Sequence, residues 1–371
     1  MSTPKPALPS ILHCHSAGGA SGMQARSLRL IEALGREARH AIVVEGQARL
    51  PGADRLARKV ELSWPVFPSL TGAPLPGRLK RLAAAMAGYD LICTYGAGAL
   101  DATLAQTLFA DVYKLPPLVH HEGEGEAGRS SLYRRIALGR TAALVVPTRE
   151  MERIALERWQ QPRSRVRLIP EGVDTAAFAA PPKRDAVPGL VKRRGELWLG
   201  TFASAAPEEL GPLIRAVTTL PAEWQLVVAA EERLHEAIIA EAARSGIEDR
   251  VHPVSPPADS ARLIGLFDLF ATMQAGTGTI GAMAAGLPVV APRDGEAAAL
   301  VASENGPLLT APADEAELTT AISRLAGDKA LRRRVGEANR ARARAEFDQK
   351  QMIERTRALY RSLMGQPAPQ R

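Results

Sequence analysis

The feature that most constrains this chain is a regular alternation of short apolar runs with stretches of amphipathic helical pattern. Parallel strands need long crossover connections, which are usually helices, so the alternation predicts doubly wound α/β sheets. The helical stretch 23–38 is one such connection. The predicted strands are 11–15, 40–46, 90–96, 116–121, 142–148, 165–174, 197–204, 224–230, 250–255, 266–273, 288–292 and 306–312.

A Pro-rich, charged segment without periodicity, 181–196, interrupts this alternation. Such segments commonly join domains, and 371 residues exceed the usual size of one hydrophobic core. We therefore predict two Rossmann-like domains, 1–180 and 197–345. Ligands of such sheets bind beyond the carboxyl ends of the strands, here in a cleft between the domains.

Charge and composition narrow the classes of molecule that the protein could bind. The net charge of +7 favours phosphate ligands, nucleic acid or an anionic membrane face. Aromatic residues make up only 4% and do not interleave with a basic patch, which argues against nucleic acid. Cys14 and Cys93 lie in apolar runs and are expected to be buried thiols. No signal peptide or membrane-spanning run is recognisable, so we expect a cytoplasmic protein.

Two glycine-rich loops are candidate ligand sites. Gly18, Gly19 and Gly22 follow the first strand and allow close backbone approach to a ligand, although a tight turn explains them equally. Their spacing does not fit a dinucleotide fingerprint.

In the second loop, Gly276 and Gly278 permit a tight turn, while Thr277 and Thr279 are predicted to cap the following helix. The amino terminus of that helix would bind a diphosphate. A plain capped helix is the alternative interpretation.

Five segments in order resemble the retaining family 4 glycosyltransferases of the GT-B fold ("glycosyl transferases group 1"). They are SAGGASG (16–22), VVPTREMERIALER (145–158), RVRLIPEGVDTAAF (165–178), GAMAAGLPVVAPRDG (281–295) and RARAEFDQKQMIERTRALYRSL (342–363). The resemblance implies two Rossmann-like domains facing a cleft, with a C-terminal helix, 346–371, that returns to the first domain. It also implies metal-independent transfer of a sugar from a nucleotide-diphosphate sugar, with retention.

The resemblance further implies a catalytic histidine near the donor, for which His120 and His121 are the candidates. They end a predicted strand, so their side chains should point to opposite faces of the sheet. A structural hydrogen bond of a strand-end histidine is the alternative for either.

The donor site departs from the family pattern. The family's two glutamates fall on Met273 and Gly281, and its Arg/Lys pair falls on a stretch without cations that contains Glu208 and Glu209. A substitute carboxylate, Glu122, Glu124, Glu126 or Glu171, is an open hypothesis. These losses cluster where donor chemistry would occur.

Three functions therefore stay open. The first is an active glycosyltransferase of envelope or exopolysaccharide assembly with a glycan or lipid-linked acceptor. The second is a non-catalytic homologue that acts as a partner or interaction module, and the third is another GT-B activity such as sugar-nucleotide epimerisation. Basic residues beside apolar ones in 76–88 and 128–140 fit helices that lie on the inner face of a membrane, or ordinary amphipathic surface helices. The oligomeric state is not predicted.

Overall fold

The computed structural model describes residues 8–15, 22–46, 49–50, 52–123, 130–178, 180–203, 210–257, 259–273, 276–293 and 296–365. The chain forms two compact units. Unit 1 comprises Met1–Glu171 and Met352–Arg371, and unit 2 comprises Gly172–Gln351. The predicted linker 181–196 belongs to unit 2, where its Val187 is buried. Among the described helices, none is long and apolar enough to cross a membrane.

Unit 1 contains a seven-stranded parallel sheet of order β3-β2-β1-β4-β5-β6-β7. Its strands are β1 Ser10–His15, β2 Arg39–Val44, β3 Leu62–Ser63, β4 Leu91–Tyr95, β5 Leu118–His121, β6 Ala143–Val146 and β7 Val166–Leu168. Its helices are α1 Gly22–Leu34, α2 Pro76–Met86, α3 Leu100–Tyr113, α4 Ser131–Ala137 and α5 Arg149–Glu157. The strand order reverses between β1 and β4.

Helices cover both faces of this sheet because its strands are apolar on both sides. Leu12, Ile92 and Leu118 pack in the layer of α2, α3 and α4. The residues that alternate with them pack with α1 and with the last helix of the chain. Cys14 and Cys93 are buried free thiols, as predicted.

Unit 2 contains a five-stranded parallel sheet of order β10-β9-β8-β11-β12. Its strands are β8 Leu197–Ala203, β9 Trp224–Ala230, β10 Val251–Val254, β11 Leu269–Ala271 and β12 Val289–Val290. Its helices are α6 Gly211–Thr218, α7 His235–Arg244, α8 Ser260–Ile264, α9 Thr277–Ala285, α10 Glu296–Leu300, α11 Glu315–Gly327 and α12 Lys329–Glu346. The predicted strand 306–312 forms only a single bridge, between Thr310 and Pro292.

The last helix, α13 Gln349–Leu363, belongs to unit 1 from Met352 onward. Met352 and Tyr360 are buried in the core that α1 also lines. Arg361 forms an ion pair with Glu37 at 2.7 Å. The α/β class with two Rossmann-like sheets is therefore confirmed, and the C-terminal helix packs on the first of them.

Candidate functional site

The carboxyl ends of three neighbouring strands in unit 1 carry a stack of rings. His15 ends β1, Tyr95 ends β4 and His121 ends β5, and the parallel register places Tyr95 between the other two. The ring centroids of His15 and Tyr95 are 4.4 Å apart, and those of Tyr95 and His121 are 4.8 Å apart. Three polar rings therefore lie side by side next to the point where the strand order reverses, which is where α/β sheets bind ligands.

Helices on the same face of the sheet hold this stack. The Ser27 hydroxyl on α1 lies 3.0 Å from His15 Nε2, and the Tyr360 hydroxyl on α13 lies 2.7 Å from His121 Nε2. Burial lowers the pKa of His15 to about 3. Burial, and then the charge of Arg26, lower the pKa of His121 well below its ordinary value. Both imidazoles are therefore neutral near pH 7, and each offers one donor and one acceptor.

A second pair of histidines extends the same network deeper into unit 1. His13 Nδ1 lies 3.0 Å from the Tyr95 hydroxyl, and His13 Nε2 lies 3.0 Å from His40 Nδ1. Burial lowers the pKa of His40 to about 4. Burial, and then the neighbouring His40, lower the pKa of His13 well below its ordinary value. Four buried neutral histidines thus support one face of the sheet.

Arg26 on α1 lies beside this network, with only 2% of its side chain exposed. Its Nη1 donates to the Ile169 carbonyl at 3.2 Å and to Glu171 Oε1 at 2.8 Å. Among the described residues, its Nε and Nη2 have no hydrogen-bond partner, and neither has Glu171 Oε2. The Nδ1 atoms of His15 and His121 are also buried without a partner in the described part of the chain. Because buried polar groups in proteins are nearly always paired, this cluster has the composition of a polar binding site.

His120 lies on the opposite face of the sheet from His121, as strand alternation predicts. Its Nδ1 is 2.8 Å from the Thr94 hydroxyl, and its Nε2 is 3.7 Å from Glu122 Oε2. Glu122 accepts a hydrogen bond from Arg134 Nε at 3.1 Å, and the Arg134 guanidinium lies over the Trp159 ring. The Glu122 carboxylate is therefore engaged in a fully buried ion pair, which is a structural role.

In unit 2 the second glycine loop leads into α9 beside the corresponding reversal, between β8 and β11. Gly276 precedes the helix with an extended backbone, and Thr277 begins it. The prediction that Thr277 and Thr279 cap the helix is wrong, because both lie inside its first turn and no described side chain caps it. Thr279 is buried, and its hydroxyl has no partner within the described ranges. The first-turn amides of α9 have no acceptor within the helix, so they suit an anion.

Small residues shape both ends of this helix. A Cβ at Gly278 would lie 3.4 Å from a ring carbon of Phe202, so the first turn packs closely on an aromatic side chain. Gly286 ends the helix with φ 79°, a left-handed conformation that glycine adopts without strain. This conformation explains why a glycine follows the two alanines that end the helix.

The two positions of the absent glutamates differ in their surroundings. Met273 is half-buried just after β11. Gly281 is buried in α9, and a Cβ there would lie 2.9 Å from Ile264 Cδ1 and 3.6 Å from Phe178 Cζ. Apolar side chains therefore fill the space that a carboxylate at position 281 would need.

Other predicted residues are only partly described. Gly22 is the first residue of α1. Gly18, Gly19, Glu124, Glu126, Glu208 and Glu209 lie outside the described residues. Within the described ranges, no cluster of three or more His, Cys, Asp or Glu side chains could hold a metal ion.

Sequence reasoning missed Arg26, His15, Tyr95 and Tyr360. A local signal existed for two of them, since His15 and Tyr95 are polar residues that end buried strands next to glycines or small residues. Arg26 and Tyr360 gave no such signal, because one lies in a helix pattern and the other 239 residues from its partner His121.

Comparison with known proteins agrees with this architecture. Residues 20–177 match the family model "Glycosyltransferase Family 4", and residues 195–328 match "Glycosyl transferases group 1". Among curated proteins, none matches the chain significantly.

Solved structures with the same fold include Anabaena HepE in complex with UDP, at TM-score 0.76 and 19% identity over 95% of this chain and 100% of that one. A Rickettsia africae glycosyltransferase has TM-score 0.76 and 12% identity over 96% of this chain and 99% of that one. Sucrose-phosphate synthase from Thermosynechococcus elongatus has TM-score 0.72 and 20% identity over 96% of this chain and 99% of that one. The chain thus has the GT-B fold, and it matches a glycosyltransferase Family 4 model over 20–177 followed by a glycosyl transferases group 1 model over 195–328.

Proposed function

We propose that this protein transfers a sugar, with retention, from a nucleotide-diphosphate sugar to a glycan or lipid-linked acceptor. We place the reaction in envelope or exopolysaccharide assembly, in the cytoplasm at the inner face of the membrane. HepE, which has the same fold, is described in complex with UDP and with UDP-glucose. The amino terminus of α9 supports a diphosphate site that needs no metal, because backbone amides and the helix dipole favour the negative charge.

The observation that carries the proposal is a set of buried atoms in unit 1 that have no partner among the residues that the structure describes. Arg26 offers two donors on one edge of its guanidinium, while Glu171 Oε2 offers an acceptor. The Nδ1 atoms of His15 and His121 offer a donor or an acceptor each. A mixed set of donors and acceptors matches sugar hydroxyls, which donate and accept at the same atom. A bare anion would leave Glu171 opposed by like charge.

Of the two candidate histidines, His121 is the one we assign to the substrate, since it shares its face with Arg26 and His15. Its lowered pKa makes it a poor base. We therefore expect it to orient a hydroxyl by hydrogen bonding. As the bond from the sugar C1 to the diphosphate breaks and the bond to the acceptor oxygen forms, the acceptor proton passes to the departing diphosphate, which is the stronger base.

One observation favours a second candidate function, a non-catalytic partner protein. The apolar packing around Gly281 replaces a carboxylate of the family's donor site. If donor chemistry has been lost, the fold would serve as an interaction module for another glycosyltransferase.

The test is calorimetric titration of the full chain with UDP, GDP and their common sugar conjugates. We expect micromolar affinity for one nucleotide and tighter binding of its sugar conjugate. The double variant R26Q/E171Q should weaken conjugate binding about tenfold, the loss of one or two hydrogen bonds, and leave the bare nucleotide unaffected. R39Q, at an exposed arginine of β2, is the matched control. Absence of binding to every nucleotide would overturn the proposal and favour the non-catalytic partner.

A further inference from the structure

Unit 1 exposes an unusual set of large apolar side chains on two neighbouring helices. Leu108 and Val112 on α3 are 52% and 70% exposed, and Leu132 and Ile136 on α4 are 64% and 50% exposed. Each pair is spaced by four residues, so its members lie on one face of their helix. Scattered apolar residues are normal on a surface, but an apolar group on adjacent helices marks an interaction site.

The two helices pack side by side in parallel. The Tyr133 hydroxyl on α4 donates to Asp101 near the start of α3. One to two turns later, the Thr107 hydroxyl on α3 donates to the Ala137 carbonyl at 2.8 Å. Leu108 follows Thr107 in the sequence and Ile136 precedes Ala137, and both side chains are exposed. Helix geometry places them on the same side of this contact. The four side chains therefore form one surface, which we call the α3–α4 face.

Positive charge surrounds this face. Lys114 ends α3 and Arg135 lies between the two apolar residues of α4, and both are exposed. Asp111, the one exposed acid of α3, is neutralised by Arg140 through hydrogen bonds of 2.5 and 2.9 Å. No acidic residue occurs in α4. The neighbouring α2 adds the exposed Lys80 and Arg81.

The other helix expected to contact lipid exposes no large apolar side chain. The large apolar residues of α2, namely Leu79, Leu82 and Met86, are buried in the core of unit 1. The amphipathic pattern of 76–88 therefore describes an ordinary packed helix, whose exposed side carries cations and small residues such as Ala84.

We propose that the α3–α4 face docks on an anionic lipid bilayer. Leu108, Val112, Leu132 and Ile136 enter the boundary between headgroups and acyl chains, while the surrounding cations contact lipid phosphates. Charge complementarity selects this occupant, because a second copy of the chain would bring together two positive rims. The inference concerns the partner surface and does not depend on sugar transfer, so it is tested without donor or acceptor.

The experiment is co-sedimentation of the full chain with vesicles of phosphatidylcholine alone and with about 30% phosphatidylglycerol. We expect at least tenfold stronger binding to the anionic vesicles, reduced but not abolished at about 0.5 M salt, because the apolar contribution is not screened. The variant L108Q/V112Q/L132Q/I136Q should bind the anionic vesicles at least tenfold more weakly than the native chain. V66Q/V191Q, which alters exposed apolar residues outside this face, is the matched control and should bind as the native chain does.

Thermal melting and nucleotide titration of the quadruple variant separate misfolding and loss of donor binding from loss of docking. Equal binding by the native chain and the quadruple variant would overturn the proposal, as would the absence of binding to either vesicle. A native dimer in lipid-free sedimentation that the quadruple variant loses would also overturn it, in favour of a second copy as the occupant.

Discussion

The two sheets reverse their strand order in the same way, but the chemical groups at the edges beside the two reversals differ. In unit 1 the edge consists of buried polar side chains, among them His15, His121 and Arg26, several of whose atoms have no partner in the part of the chain that the structure describes. In unit 2 it consists of the backbone of α9, glycines and the aromatic rings of Phe202 and Phe270. One edge offers directional hydrogen bonds, and the other offers a helix dipole with little side-chain chemistry.

This difference teaches where specificity and affinity for a ligand would come from. A helix amino terminus attracts any suitably placed anion and discriminates little among sugars. A network of neutral imidazoles with an arginine and a carboxylate discriminates strongly, because a missing hydroxyl leaves buried groups unpaired. We therefore expect the unit 1 edge to discriminate among hydroxyl-bearing ligands and the unit 2 edge to suit an anion such as a diphosphate.

The largest expected effect is a selective loss of folding stability in unit 1 at acidic pH. The pKa values of His15 and His40, about 3 and about 4, lie below the unfolded value of about 6.5, so the unfolded chain binds protons first. Stability is then complete above pH 6.5 and falls as the pH drops. Between pH 7 and 5 these two groups alone should cost about 2 kcal/mol each.

Hydrogen exchange read separately over the two units checks this expectation. Unit 2 contains only His235 and His252, of which His252 has a pKa lowered by burial. Its protection should therefore change far less than that of unit 1. Simultaneous loss of protection in both units at the same pH would contradict the contrast between them.

The next largest effect concerns the absent carboxylate. Gly281→Glu places a charged side chain against Ile264 and Phe178, and we expect it to cost about 3 kcal/mol of stability or more. Gly281→Ala is the matched control. Its Cβ meets the end of the Ile264 side chain closely and Phe178 at ordinary contact distance, and alanine favours the helix by about 1 kcal/mol, so its stability should stay near the native value.

Urea unfolding of both variants measures the difference in free energy. If Gly281→Glu folds as stably as the native chain and gains nucleotide affinity, the unit 2 edge has kept room for family-type donor chemistry. That result would remove the difference between the two edges at this position.

The smallest effect tests the α9 site itself. Thr279→Val removes a buried hydroxyl that has no partner among the described residues, so folding stability should be unchanged or slightly higher. If the hydroxyl binds the diphosphate, nucleotide affinity should fall about tenfold, equivalent to about 1.4 kcal/mol. Thr218→Val, at an exposed threonine of α6 whose hydroxyl donates to the Arg215 carbonyl, is the control for nucleotide affinity and should leave that affinity unchanged. Unchanged nucleotide affinity in Thr279→Val would place the diphosphate elsewhere.

Much of the fold is predictable from the sequence because its signals are local. Eleven of the twelve predicted strands coincide with observed ones, and the two-residue β3 was too short to be recognised. The run 306–312 does not form the predicted strand, because Thr310 makes only an isolated bridge with Pro292. Apolar runs of strand length and helical periodicity are set by neighbouring residues, so they can be recognised without knowledge of the tertiary structure.

The sequence by itself determined the two-unit α/β architecture, the loop that begins α9 and the opposite orientation of His120 and His121. Only the tertiary structure decided which polar groups meet, since Arg26 pairs with Glu171 across 145 residues. It likewise decided which apolar faces stay exposed. The large apolar residues of α2 are covered by neighbouring elements, whereas Leu108 and Val112 of α3 are not. Burial of a face depends on what packs against it, and that information lies elsewhere in the chain.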